Sequence, residues 1–316
     1  MTAARFFTHP LGILAASVGA TMLWGSSYAF LKLSYQSLQI GPSDTFEQLL
    51  FAGYRFTLAG LLIMVYMLIR RETLAYRSGS GMLLIRIALL QTVLQYTFFY
   101  AGMSLSEGMV GSVIAGTISF FQIGLAHVLY PDDKLNRTKM IGLLVGFTGL
   151  LVLGLSNHGS VRSWIFSYGE LLLIASAFFS ASANLISRRG AVSYSISYMN
   201  SYQMLLGGIA LIAASAWRVG LTPFLFDWRS SLMLLHLAIV SAVGFMLWNN
   251  VMKYNHVGSV SMYLFLIPVF GVAQSALLLS EKLHAAVLFS LLLVCLGIVI
   301  VNRRKKVGMA AVIENE

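Results

Sequence analysis

Apolar stretches of about 20 residues recur along this chain from Leu14 to Val301, each long enough to cross a hydrocarbon core as a helix. Nothing else in the sequence restricts the fold as severely. In lipid every backbone N–H and C=O must be bonded within the chain, and such runs meet that demand as helices. Charged residues make up only 10% of the sequence and hydrophobic ones 58%, which leaves little for a soluble domain. The expected class is an all-α integral membrane protein. We place ten transmembrane helices at 13–33, 48–69, 83–104, 108–130, 139–156, 168–187, 198–217, 231–252, 257–279 and 284–302. The first run carries Trp24-Gly25-Ser26-Ser27 and no small-residue cleavage site after a short apolar core, so it reads as a retained span.

The basic residues orient this arrangement. With Met1 in the cytoplasm, Arg5, Arg70, Arg71, Arg77, Arg86, Lys134, Arg137, Lys139, Arg188, Arg189, Lys253 and Arg303 to Lys306 collect on the inner side, fifteen of the 21 bases. Lys32, Arg162, Arg218, Arg229 and Lys282 fall outside, and Arg55 falls within a span. Cytoplasmic loops carry the excess of Lys and Arg, so both termini are expected in the cytoplasm. The formal charge of +10 then serves topology, and no nucleic-acid partner is implied. The single cysteine, Cys295, lies inside the last run and excludes an intramolecular disulfide or a Cys-based metal site.

The chain also repeats itself. Val110-Gly111-Ser112-Val113 recurs as Val257-Gly258-Ser259-Val260, and Asp133-Lys134-Leu135 answers Glu281-Lys282-Leu283 at a spacing one residue different. Gly149 corresponds to Gly297, and Tyr54 and Gly60 to Tyr202 and Gly208. One unit used twice is the expected plan: residues 1–156 as a first five-helix repeat, 157–302 as a second, and 303–316 as a basic cytoplasmic tail. Five is odd, so the second unit enters the membrane from the opposite side and the repeats are inverted. That architecture belongs to alternating-access transporters, with substrate near midplane between the halves.

Arg55 is the one charge well inside a span, and an arginine at the bilayer centre costs about 2.5–3.5 kcal/mol on insertion scales. Its guanidinium either holds a substrate carboxylate or phosphate, or it snorkels outward or binds carbonyl groups at a helix end to lock the fold. The acids lie in loops or at span ends, Glu170 barely inside the sixth helix, which leaves no mid-membrane carboxylate as a proton carrier. His127 and His236 sit nearer span ends than the middle. Neutral polar and aromatic residues at helical spacing supply the candidate binding surface. Gln91 and Gln95 share a face with Tyr96 and Phe99 beside it. Ser112, Gly116 and Ser119 form a small-residue stripe next to Phe120 and Gln122. Ser259, Tyr263, Phe270 and Gln274 line up around Pro268, which is expected to kink the ninth helix and act as a hinge. Trp24, Ser27, Tyr28, Asn184, Trp248, Asn249 and Asn250 complete the set. Such stripes also serve as helix-packing seams. The substrate-binding candidates are Arg55, Gln91, Gln95, Tyr96, Trp248, Tyr263, Gln274, Trp24, Tyr28 and Asn184. No metal cluster, nucleotide loop, cofactor fingerprint or nucleophile with a base stands in the spans, so catalysis is not expected.

The segments WGSSYAFLK (Trp24 to Lys32), YRF (Tyr54 to Phe56), IPVFGV (Ile267 to Val272) and SEKL (Ser280 to Leu283) resemble the drug/metabolite transporter superfamily, specifically its EamA-type ten-helix branch. The resemblance runs in order over nearly the whole chain. It implies a bacterial inner-membrane exporter or exchanger of amino acids or other small metabolites, with a central cavity between inverted repeats and peripheral fifth and tenth helices. The sequence departs from that pattern at Phe120, which stands where the second half has Pro268, and at PDDKL (Pro131 to Leu135) in place of a glutamate-bearing turn. The membrane glutamate of the four-helix relatives has no counterpart. Its partners are then a small-molecule substrate and the lipid bilayer, and a homodimer is compatible with the sequence. A non-transporting membrane scaffold or sensor is the rival reading, followed by a lipid-modifying enzyme.

Overall fold

The structure, a computed structural model, describes residues 3–105, 114–131, 133–158, 168–279 and 285–302. Among them every regular element is helical. A short α1 (Ala3–Thr8) leads into α2 (Pro10–Leu38) and α3 (Thr45–Ile69). Next, α4 (Gly81–Ile87) passes through a π-helical turn (Ala88–Leu94) into α5 (Gln95–Ser104). They are followed by α6 (Ile118–Leu129), α7 (Arg137–His158), α8 (Tyr168–Gly190), α9 (Ile196–Val219) and α10 (Trp228–Tyr254). The chain closes with α11 (Val257–Val260), a 3-10 segment (Ser261–Phe265), α12 (Leu266–Leu279) and α13 (Ala285–Asn302). Seven helical stretches among the described residues are long and apolar enough to cross a membrane: Pro10–Leu38, Thr45–Ile69, Gly81–Met103, Tyr168–Gly190, Ile196–Val219, Trp228–Tyr254 and Val257–Leu278. Ile118–Leu129 and Leu292–Val301 are shorter apolar helices. The protein is an all-helical membrane protein.

Local chemistry sets the helix ends. Pro10 opens α2, where its missing N–H costs nothing, and the His9 ring accepts the Leu11 N–H at 3.3 Å. Asp227 and Ser230 form a reciprocal capping box at the start of α10, with Ser230 N–H donating to Asp227 Oδ1 at 2.7 Å and Asp227 N–H to Ser230 Oγ at 2.9 Å. Arg188 and Arg189 fall in the last turn of α8, where the helix dipole favours cations.

Close approach between helices is made by glycine. A Cβ built at Gly53 of α3 would lie 2.9 Å from Ile212 N and 3.0 Å from Gly208 O, and one at Gly60 would lie 2.9 Å from Ser201 O. These are backbone atoms, so α3 and α9 meet at a distance that only hydrogen-bearing positions allow. Gly297 of α13 repeats the device against Gly142 O of α7 at 2.6 Å. Elsewhere α2 packs on α10 and α12, while α8 packs on α5 and α6. Large apolar residues point outward at helical spacing, as Leu61, Val65 and Ile69 do on α3 and Leu288, Leu292 and Leu296 on α13. Lipid is as suitable a neighbour for them as protein.

The helical ladder is irregular near Pro268. The proline is buried as the third residue of α12, directly after the 3-10 segment, whose Leu264 carbonyl stands four residues before the proline and gets no N–H from it. The regular ladder breaks earlier, in the 3-10 segment Ser261–Phe265. A second break falls in the first half without any proline: the helix is interrupted by a turn at Gly116 and Thr117, with Thr117 Oγ1 donating to Ile114 O at 2.6 Å. A hydroxyl that reaches back to a carbonyl, beside a glycine, bends the helix where Phe120 gave no reason to expect it. Val110 to Val113, Glu107, Asp132, Arg162, Glu281 to Leu283 and the tail 303–316 lie outside the described residues.

Candidate functional site

Eight helical segments converge on a cavity of about 110 Å³. Trp24, Ser27, Tyr28 and Leu31 enter it from α2, Arg55 from α3, and Gln95, Tyr96 and Phe99 from α5. From the other half come Leu173, Ser176, Ala177, Ser180 and Asn184 of α8, Phe245 of α10, Leu264 of the 3-10 segment and Ile267 of α12; Ala115 and Ile118 complete the lining. The rings touch one another around the wall: Trp24 meets Phe245 edge-on at 5.2 Å, Tyr28 meets Phe99 at 6.3 Å, and Tyr96 lies 4.5 Å from Phe56.

Arg55 is 3% exposed. Its Nε donates to Ser241 Oγ at 2.8 Å and its Nη2 to Ser27 Oγ at 3.3 Å, so α3 is tied to α10 and α2 through two hydroxyls. The guanidinium lies 5.4 Å from the Phe56 ring centroid and 5.9 Å from that of Tyr96. Among the described residues no carboxylate pairs with it; the one ion pair found is Lys139–Asp133. The arginine therefore neither snorkels out of the protein nor caps a helix end.

At the cavity's edge stands a chain of side-chain amides. Gln91 Nε2 donates to Asn184 Oδ1 at 2.9 Å, Asn184 Nδ2 to Gln122 Oε1 at 2.9 Å, and Gln122 Nε2 to Ser261 Oγ at 2.8 Å. Ser119 Oγ adds a bond to Ser261 O at 2.8 Å. All five residues are buried. The relay joins the π-helical turn, α8, α6 and the 3-10 segment. Beyond it, toward the end of the molecule where α2 begins, more polar ties hold the helices together. Arg188 Nε donates to Met252 O at 3.0 Å with its guanidinium 4.3 Å from the Tyr130 ring centroid, and Asn255 Nδ2 donates to Phe7 O at 2.8 Å. Asp133 Oδ1 takes the Lys139 ammonium at 2.5 Å and its Oδ2 accepts the Gly258 N–H at 2.8 Å. Burial pushes the Asp133 carboxyl up, but the Lys139 ammonium and the Gly258 N–H outweigh it and hold the group below the usual carboxylate range.

Six of the ten sequence candidates line the cavity: Arg55, Gln95, Tyr96, Trp24, Tyr28 and Asn184. The other four lie elsewhere. Gln91 is spent on the relay, Trp248 is fully buried 5.9 Å from the Trp24 ring, Tyr263 belongs to the packed core, and Gln274 donates to Met22 O at 2.9 Å. His127 Nδ1 accepts the Leu135 N–H at 3.0 Å at the end of α6, and His236 Nε2 lies 3.2 Å from Ser26 Oγ. Ser261 and Ser176 escaped the sequence reading because single serines in apolar runs carry no signal of their own.

The profile of the EamA-like transporter family matches residues 10–155 and again residues 167–303. The chain belongs to the EamA-like transporter family. Among relatives, an uncharacterized transporter, YvbV, of Bacillus subtilis (strain 168) is 26% identical over 296 residues, 92% of either chain. A probable amino-acid metabolite efflux pump of Escherichia coli (strain K12) is 23% identical over 302 residues, covering 92% of this chain and 93% of its own. A solved crystal structure superimposes with a TM-score of 0.74 at 17% identity, over 93% of this chain and 98% of the other, which establishes a shared fold. The cavity is set among helices of both matched stretches, and transport is the activity that the family and these relatives carry in their names.

Proposed function

We propose that this protein is a secondary transporter that exports amino acids or other small metabolites by alternating access, using the Arg55 cavity as its substrate site. The observation that carries the reading is the asymmetry along the molecule: a cavity with one buried arginine, unpaired with any acid among the described residues, on one side of the amide relay, and dense inter-helix polar ties on the other. A carrier caught open to one side has that form.

Ten membrane spans in two inverted five-helix repeats, residues 1–156 and 157–302, follow from the same reading. The two family matches, 10–155 and 167–303, support it. So does the packing, which is unchanged when the halves trade places: α3 meets its counterpart α9, α7 meets α13, and the pairs of α2 with α10 and α12 answer those of α8 with α5 and α6. The distribution of bases supports cytoplasmic termini and a basic cytoplasmic tail at 303–316, and bacterial relatives support the inner membrane.

The test is expression of wild type and Arg55→Gln at matched membrane levels in a sensitive host, with intracellular solute measured across amino acids, their analogues and anionic metabolites. Lower accumulation of one solute with wild type, lost in the variant, supports export through this site. Unchanged accumulation of every solute, in cells and in reconstituted vesicles, would sink it.

A further inference from the structure

The charge inventory of the cavity goes further than its position. Among the described residues its lining holds one cation, Arg55, and no aspartate or glutamate. Every described acid is placed elsewhere: Asp44, Glu47 and Glu170 at helix starts, Glu72 on Ser197, Asp133 on Lys139 and Asp227 in its capping box. The two hydroxyls on Arg55, Ser27 and Ser241, orient the guanidinium without neutralising it. A buried charge without a counterion is unfavourable, and a ligand that brings the counterion relieves it.

The neutral polar groups are largely committed. Both ends of the Asn184 amide are used in the relay, and Ser176 Oγ donates to Gln95 O at 2.8 Å. Gln95 Oε1 is buried without a partner, a neutral acceptor suited to one O–H or N–H. An ammonium group would find ring faces that attract cations and the one free acceptor on Gln95, but no anion among the described lining residues, and the like charge of the buried Arg55 guanidinium would repel it. One guanidinium among apolar walls balances one negative charge, which suits a carboxylate better than a phosphate dianion.

We infer that the cavity selects a small amphipathic monocarboxylate of net negative charge, its carboxylate on Arg55 and its apolar body among Trp24, Tyr28, Tyr96 and Phe99, in preference to zwitterions and cations. This rests on the reading of the cavity as the transport site. It narrows the substrate from amino acids and other small metabolites to organic anions, and places zwitterionic amino acids behind them.

The test uses three probes built on one phenethyl core, 3-phenylpropionate, phenylalanine and 2-phenylethylamine, titrated calorimetrically into the purified full-length protein. The expected order is 3-phenylpropionate at least about ten-fold tighter than phenylalanine, and no binding of the amine. Arg55→Gln should abolish the preference, while Arg55→Lys, which keeps the charge, should retain part of it. Phenylalanine binding as tightly as the anion, measurable binding of the amine, or binding of none of the three would overturn the inference. Counterflow in vesicles separates this from the transporter reading. Selective anion binding without flux removes the transporter and leaves the anion site; flux of phenylalanine in preference to 3-phenylpropionate does the reverse.

Discussion

Oδ2 of Asp133 accepts the backbone N–H of Gly258 at 2.8 Å, so a carboxylate in the loop after α6 holds the first turn of α11, 125 positions further along the chain. The same carboxylate is paired at 2.5 Å with Lys139, whose ammonium also donates to Lys134 O at 2.9 Å. The loop, the start of α7 and the start of α11 are thereby one unit.

Removing the acid strands the base. The Asp133 side chain is 0% exposed and that of Lys139 11%, so Asp133→Asn leaves a largely desolvated ammonium without its counterion. Breaking a buried pair costs about 3–5 kcal/mol, and the slight exposure of Lys139 places this case near about 3. Melting of the purified protein in detergent should show the variant well below wild type. The double variant Asp133→Asn, Lys139→Met should recover part of the loss.

That contribution has a defined pH dependence. The folded Asp133 carboxyl is held below its ordinary value of 3.8, so its stabilisation is complete above that value and disappears as pH falls through the lower, folded one. The gap in melting temperature between wild type and Asp133→Asn should stay constant from about pH 8 to 5 and close only in strong acid. A gap that already narrows near neutrality would assign it to another group.

Glycine positions at helix crossings should separate cleanly from those facing free space. Gly53→Ala and Gly60→Ala drive a methyl to 2.9 Å from backbone atoms of α9, and overpacking of this kind costs about 1–3 kcal/mol. Gly124 of α6 has nothing within 4 Å of a built Cβ, so Gly124→Ala should be neutral or slightly stabilising through helix propensity. The three melting curves in the same detergent provide the comparison.

The amide relay predicts a change in access more than in stability. Gln122→Leu removes the acceptor of Asn184 and a donor to Ser261, at a cost of about 0.6–2 kcal/mol for bonds between membrane helices. If the relay seals the cavity, a cysteine at position 180, in a Cys295→Ser background, should react faster with impermeant thiol reagents from the side where α2 begins once Gln122 is replaced. Equal rates in both backgrounds would place the seal elsewhere.

The helices were legible because span length and polar cost act on each segment alone, and Arg55 was legible because one charge in a long apolar run has few physical excuses. The partners of these residues were not. Gln91 and Gln95 sit four apart and read as one face, yet the first bonds to Asn184 and the second borders the cavity. Tyr263 and Trp248 resembled cavity residues because an aromatic at helical spacing serves a core and a binding wall equally well. Which neighbour a face meets depends on crossing angles and on small breaks such as Gly116–Thr117, and those depend on contacts between segments far apart in the chain.

The π-helical turn at Ala88–Leu94 winds one surplus residue into the third long helix, and no glycine or proline marks the spot. Each residue of an α-helix advances the chain by roughly 100°, so α5 is swung by about that angle from where an uninterrupted continuation of α4 would have carried it. Tyr96, Phe99 and Gln95 all sit past the insertion. The aromatic wall is thus a product of counting: delete any single residue between 88 and 94, let the helix run true, and the same side chains would look out on a different neighbour.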